Sequence, residues 1–245
     1  MAEAARRPSV ISHEIRTPIA LISGAAELLE EGMAGDLNPQ QKQFVQTISE
    51  NSAQVIAIAE NFLTELRLDS NAKLHLQRID IRQLVAQTAR ELRRTSQVPL
   101  QVEATGGLLE IYADSQLVRQ LLWNLINNAM RHGESDSAVT VRVLDGEGGG
   151  ALISVTDSGT GMSEADIERI FEPFTTGTGR RAGTGIGMMV AKKIVEAHHG
   201  RIMVDSSEGA GTAIHVLLPQ GTPPSEAMAP SAVTPRSGAA RLEAA

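Results

Sequence analysis

The 245-residue sequence predicts an α+β chain in two parts: an antiparallel helical hairpin that pairs with a second copy as a four-helix bundle, then a two-layer α/β sandwich. Three observations predict this. Apolar residues recur at alternating spacings of four and three through the first part. From Asp80 onward, helical periods alternate with short runs of period two. Aromatic residues make up 2% of the chain and glycines number 22, so the core must come from Leu, Ile, Val, Ala and Met.

The first helix is carried by Ile11, Ile15, Pro18, Ile22, Ala25 and Leu29, the seam of a bundle rather than of a lone surface helix. Gly32 and Gly35 end it, and Asn38-Pro39 is placed to cap and begin the next. Phe44, Ile48, Asn51, Val55, Ile58 and Phe62 repeat the seam. A single hairpin cannot bury both apolar faces, and dimerisation is the economical solution. Asn51 either fixes register on that seam or lies at its solvated edge. Residues 1–70 form this hairpin and 71–80 a linker.

Residues 81–219 read as the second domain. Helical patterns are expected near 81–95, 115–132, 163–171 and 184–199, and strands at Val139–Val143, Ala151–Thr156, Arg201–Asp205 and Thr212–Leu218. The glycine-rich run 146–150 joins two strands as a hairpin. Five of the ten prolines fall from Pro219 onward, and 220–245 reads as a disordered tail.

Composition excludes several classes. With no cysteine there is no disulfide, thiolate zinc site or cysteine nucleophile. No run approaches the roughly 18 apolar residues of a membrane helix, and the N-terminus lacks a secretory stretch, so a cytoplasmic location is expected. A net charge of −7 and the shortage of rings argue against bulk nucleic-acid binding.

Two sets of residues carry chemistry. His13 falls two positions before Ile15, on the outermost face of the first helix, with Thr17 one turn on and Glu14 adjacent. An accessible imidazole whose ring proton a carboxylate can accept is a nucleophile; a merely solvated histidine is the plainer alternative. In the second domain Asn124 and Asn128 share one helical face, with Asn127, Arg131 and His132 nearby. Asparagine is a mediocre helix former, and its amide oxygen suits a hard cation such as Mg2+; amides bridging backbone are the alternative. Asp157 ends a strand and is followed by Gly159 and Gly161, giving an acceptor for an exocyclic amine beside backbone that a ligand can approach. Gly183, Thr184, Gly185 and Gly187 then open a helix, whose free amides suit phosphate. Between Phe174 and Ala182 there is almost no apolar anchor, and the stretch reads as a lid, with Arg180 and Arg181 as candidate phosphate donors or, for at least one of them, part of a solvated loop.

Ser12-His13-Glu14-Ile15-Arg16-Thr17-Pro18 closely resembles the phosphoacceptor box of two-component sensor histidine kinases. The order of the Asn helix, Asp157-Ser158-Gly159-Thr160-Gly161, Phe171-Glu172-Pro173-Phe174, the glycine-rich lid and Gly183-Thr184-Gly185-Ile186-Gly187 is similar to the GHKL (Bergerat-type) ATPase fold. Together they cover roughly residues 9–219.

The resemblance implies that ATP and Mg2+ are the cofactors and His13 the autophosphorylated residue, with Glu14 as base and Thr17 positioning water for dephosphorylation. Asn128 would hold the Mg2+, with Asn124 beside it. Asp157 would accept from the adenine amine over a floor of Gly159 and Gly161. Arg131 and His132 would contact phosphate and ribose or base, and Gly183, Thr184, Gly185 and Gly187 the phosphates. The implied partners are a second copy of the chain and the receiver domain of a response regulator, which takes the phosphoryl group on an Asp. Thr160 stands where the family commonly has Pro, and Ile186 and Met188 where it has Leu. Only twelve residues precede His13, so an upstream sensor, in the same polypeptide or as a partner, is expected. The alternative function is a non-catalytic ATP-binding scaffold that sequesters a partner.

Overall fold

The computed structural model describes residues 7–70, 73–95, 98–133, 137–173, 175 and 185–223, without the side chains of 7–14, 16 and 95. Helices α1 (Arg7–Glu30) and α2 (Pro39–Asp69) form the expected hairpin. Gly32, at φ +78°, ends α1: its N–H donates to the Leu29 carbonyl and that of Met33 to Leu28, the paired bonds of a left-handed C-terminal cap. Asn38 begins α2 with a reciprocal cap, its side chain accepting from the Gln41 N–H while Gln41 accepts from Asn38 N–H, both at 2.9 Å. Pro18 sits inside α1, where it removes one backbone donor.

The hairpin closes on small residues. Ala26, Val45 and Ser52 are buried between the two helices. Most of the described seam residues face outward instead: Phe44 is 58% exposed and Phe62 50%, with Ile15, Ile22, Ile48 and Val55 also open, whereas Ile58 packs against the core of the second domain. Asn51 is exposed and donates to the Thr47 carbonyl of its own helix at 2.7 Å.

The second domain contains β1 (Gln77–Asp80), α3 (Ile81–Thr95), β2 (Leu100–Glu103), β3 (Glu110–Ala113), α4 (Ser115–His132), β4 (Val139–Asp145), β5 (Ala151–Asp157), α5 (Glu164–Arg169), α6 (Gly187–Ala197), β6 (Arg201–Ser207) and β7 (Gly211–Leu218). Five strands form one sheet in the order β2-β4-β5-β7-β6, antiparallel except for the β2–β4 pair. Alternate residues of β4, β5 and β7, among them Val141, Ile153 and Val216, pack against Leu121, Leu122, Leu125 and Ile126 of α4 and Val190 and Ile194 of α6. The core is aliphatic, as the composition requires. Strands β1 and β3 pair separately, so part of the stretch read as a linker belongs to the folded domain. Gln220 also lies inside the fold, its carbonyl accepting from the Tyr112 N–H at 2.7 Å, whereas 224–245 lie outside the described residues. Among the described residues no helix is long and apolar enough to cross a membrane.

Asp114 is one joint between the two parts. Its Oδ1 caps α4 by accepting from Gln116 and Leu117 N–H, while Oδ2 accepts from Arg67 of α2 at 2.8 Å and from His75 N–H at 3.1 Å. The Asp114 N–H in turn donates to His198 Nε2 at 3.0 Å, and His198 Nδ1 lies 2.8 Å from the Ile194 carbonyl, which assigns the proton to Nδ1.

Burial lowers the His198 pKa against the opposing pull of the Ile194 carbonyl and Asp114. The unfolded chain therefore takes up this proton first as pH falls, and stability present above about 6.5 is lost as pH drops toward the lower folded value. We expect the thermal midpoint to fall between pH 7 and 5.5, with a shallower fall in His198→Gln, read by parallel melts. Identical pH slopes would refute this assignment.

Candidate nucleotide site

A cleft forms where α4, the end of β5, the start of α6 and the flank of α2 meet. Helix α4 carries Asn124, Asn127, Asn128 and Arg131 along the cleft and His132 at its end, because their spacing keeps them on one side while the leucines face the sheet. Asn124 is buried, its Nδ2 donating to the Gly187 carbonyl at 3.1 Å and to Asn61 Oδ1 at 2.9 Å. Asn127 and Asn128 are half-buried.

Strand β5 delivers Asp157 to the cleft floor at 5% exposure. Its Oδ1 accepts from the Gly159 N–H at 2.9 Å, and an ionised carboxylate retains further acceptor positions. Burial raises the Asp157 pKa, opposed by the Gly159 amide, His132 and the Thr212 amide. His132 shifts downward, chiefly through burial and then through Arg131, with Asp157 acting in the other direction. Burial and Arg131 thus both favour the neutral imidazole.

The glycines divide into two groups. Gly185, at φ +66°, and Gly187 line the cleft where α6 begins, and no side chain caps that helix at Ile186. The first amides of α6 are thus not taken by a capping side chain, which suits an anion. Gly161 also lines the cleft. Gly159 does not: a Cβ there would fall 2.1 Å from the His132 carbonyl oxygen, so its small size serves close packing and its amide orients Asp157. The floor expected of Gly159 and Gly161 together is supplied by Gly161 with Thr160, Met162 and Thr212.

The remaining expected residues are placed unevenly. The backbone of His13 and Glu14 is helical in α1, and their side chains lie outside the described residues; Thr17 is exposed. Gly183 and Thr184, along with Phe174, Arg180 and Arg181, lie outside the described residues. Phe171 packs against the core beneath Lys192, whose Nζ is 5.5 Å from the ring centre.

Sequence reasoning missed Trp123, Ile170 and Met188 as apolar lining, and also Gln54, Ala57 and Asn61, which reach the cleft from the hairpin. For the first three, periodicity alone does not separate an apolar side chain that lines a cleft from one in the core. Residues 54, 57 and 61 share one face of α2, but nothing in the sequence says what that face meets.

Two family models match the chain. The "His Kinase A (phospho-acceptor) domain" covers residues 9–71 and the "Histidine kinase-, DNA gyrase B-, and HSP90-like ATPase" covers 113–222. The chain belongs to the histidine kinase family.

This histidine kinase core is 31% identical over 229 residues to histidine protein kinase DivJ of Caulobacter vibrioides, spanning 90% of the chain and 38% of that relative. It is 32% identical over 222 residues to sporulation kinase E of Bacillus subtilis, spanning 85% of the chain and 28% of that relative. The chain therefore spans well under half the length of either. Among solved structures it is similar to full-length ShkA in complex with AMPPNP, with 26% identity and a TM-score of 0.65 over 89% of this chain and 46% of that one. It is also similar to the mycobacterial sensor histidine kinase MprB, with 25% identity and a TM-score of 0.53 over 60% of this chain and 99% of that one. These likenesses bear out a helical region followed by a GHKL-type α/β domain.

Proposed function

We propose that this core binds ATP with Mg2+ in the cleft and transfers the γ-phosphoryl group to His13. One observation carries the reading: a single cleft gathers the Asn face of α4, the buried carboxylate of Asp157 and the side-chain-uncapped start of α6. An adenine amine has its acceptor in Asp157, and phosphates have amides at Gly185 and Gly187 with the Arg131 guanidinium nearby. Among the described residues no cluster of three or more His, Cys, Asp or Glu could hold a metal alone. The carboxamides of Asn124 and Asn128 fit a hard cation that takes its other ligands from phosphate and water. When bound, Mg2+ would neutralise charge on the phosphates during transfer.

In the transfer, a ring nitrogen of His13 forms a bond to the γ-phosphorus as the bond to the β,γ-bridging oxygen breaks. ADP leaves, and Glu14 accepts the proton from the other ring nitrogen. The phosphoryl group then passes to an Asp carboxylate of a response-regulator receiver domain, restoring the free imidazole. Thr17, exposed one turn beyond His13, would position water when the regulator's phospho-Asp is hydrolysed. The exposed seam of Ile15, Ile22, Phe44, Ile48, Val55 and Phe62 supports a homodimer, since an apolar face of this length is otherwise left in water. ATP as phosphoryl donor and a receiver domain as acceptor support a cytoplasmic location for this activity.

Incubation of the chain with γ-labelled ATP and Mg2+ is expected to leave acid-labile, base-stable label on the protein, absent from His13→Gln. Undiminished label in that variant, or none in the wild type, would overturn the reading.

A further inference from the structure

Asn61 belongs to the hairpin, yet it is 3% exposed, because α2 lies against α4 and α6 at this point. Burying a carboxamide between helices is costly unless its polar atoms are bonded. Here Asn61 Oδ1 accepts from Asn124 Nδ2 at 2.9 Å and from Gln120 Nε2 at 2.8 Å. Asn124 Nδ2 carries two hydrogens, and the second goes to the Gly187 carbonyl at 3.1 Å. The plane of the Asn124 amide is thus fixed from two sides, one in the nucleotide-binding domain and one in the hairpin. What Asn124 has left to offer a ligand is its Oδ1.

The surroundings keep the two helices in place. Lys193 of α6 donates to Glu65 Oε1 at 3.0 Å and to Asp69 Oδ1 at 2.8 Å, and Arg67 binds Asp114 on the other flank. Gln54 and Ala57, on the same face of α2 as Asn61, line the cleft as well. We propose that Asn61 is a positioning residue of the nucleotide site: α2 supplies one wall of the cleft, and Asn61 holds the Asn124 carboxamide in the orientation that meets the phosphates and their metal. The inference rests on reading the cleft as a nucleotide site. It adds that nucleotide affinity depends on a residue of the phosphoacceptor hairpin.

The test is calorimetric titration of the full chain with ADP and Mg2+. Asn61→Leu fills the space without an acceptor, and about tenfold weaker binding is expected from loss of the bond that fixes Asn124. Asn61→Asp keeps the acceptor and is expected to stay within about threefold of wild type. Introduced into an Asn124→Ala background, Asn61→Leu should weaken binding no further, a coupling that a purely structural role would not produce. If the leucine variant does not fold, Asn61→Ser, too short to reach Asn124, gives the same reading. Wild-type affinity in the leucine or serine variant, or an equal loss with and without Asn124, overturns the inference and leaves the functional reading standing. No binding by the wild-type chain overturns both.

Discussion

Asp157→Asn is expected to weaken ATP binding about a hundredfold while leaving the fold intact, because it replaces a charged acceptor by an amide in a buried site. The carboxylate sits at the end of β5 at 5% exposure, oriented by the Gly159 N–H at 2.9 Å. An asparagine keeps the shape and can keep that bond through its carbonyl, but it then presents an NH2 where the adenine amine needs an acceptor. Two donors facing each other without water is the arrangement that a polar site rejects most strongly. ITP, which carries a carbonyl where ATP carries the amine, should bind the variant no worse than it binds wild type.

Stability is expected to move in the other direction. Burial raises the folded-state pKa of Asp157, so the charged form is disfavoured by folding at neutral pH, and the neutral amide relieves that cost. An unchanged or higher thermal midpoint together with lost affinity would separate function from fold. In the wild type, the same upward shift is expected to make ATP binding fall with acidification at a pH above the ordinary aspartate value of about 3.9, as the acceptor is protonated. Wild-type ATP affinity in Asp157→Asn would remove this residue from adenine recognition.

How much of the fold is legible in the sequence depends on the strength of each signal. The α3 and α4 patterns are long and periodic, and both helices occupy the residues expected, Ile81–Thr95 and Ser115–His132. Strands β4 and β7 alternate and β5 is a mostly buried apolar run, and all three are legible too. Strands β1, β2 and β3 are not, since each has four residues and sequences such as Gln-Arg-Ile-Asp carry little period-two contrast. The bundle seam is visible as a repeat, but a repeat does not say which face closes within one chain. The structure answers with Ala26, Val45 and Ser52, small residues that let α1 and α2 approach.

The site follows the same rule. Asn124, Asn128, Asp157 and the glycines before α6 stand out because asparagine in mid-helix and clustered glycine are locally unfavourable. Asn61 is hidden because its role depends on how two separately readable domains dock. Gly159 stands out in the sequence as a place for a ligand to approach, but the neighbour it must accommodate is a carbonyl of its own chain.

Gly161→Ala is expected to be the most damaging single methyl in the domain. At φ +66° an alanine is already strained, and its Cβ would fall 1.9 Å from the Ser207 carbonyl oxygen. That oxygen belongs to β6 and cannot swing aside. The turn is held against the β6–β7 hairpin by the Gly209 N–H donating to the Thr160 carbonyl at 2.7 Å and the Met162 N–H donating to Ser206 Oγ at 3.0 Å. From the far side Gly211, at φ +84°, would put a Cβ 2.1 Å from the Asp157 carbonyl oxygen, so neither strand can retreat. Relief requires moving the turn that carries Asp157, and both stability and nucleotide binding should suffer. A loss of about 3 kcal/mol or more is expected, which lowers the thermal midpoint by roughly 6–12 °C for a chain of this size. Gly24→Ala provides the contrast: Gly24 lies inside α1, where an added methyl would meet no described atom within 4 Å, and the substitution should gain about 0.5–1 kcal/mol from helix propensity alone. Melts of the two variants beside wild type would decide the matter, and a wild-type midpoint for Gly161→Ala would mean that the turn after β5 yields where its contacts say it cannot.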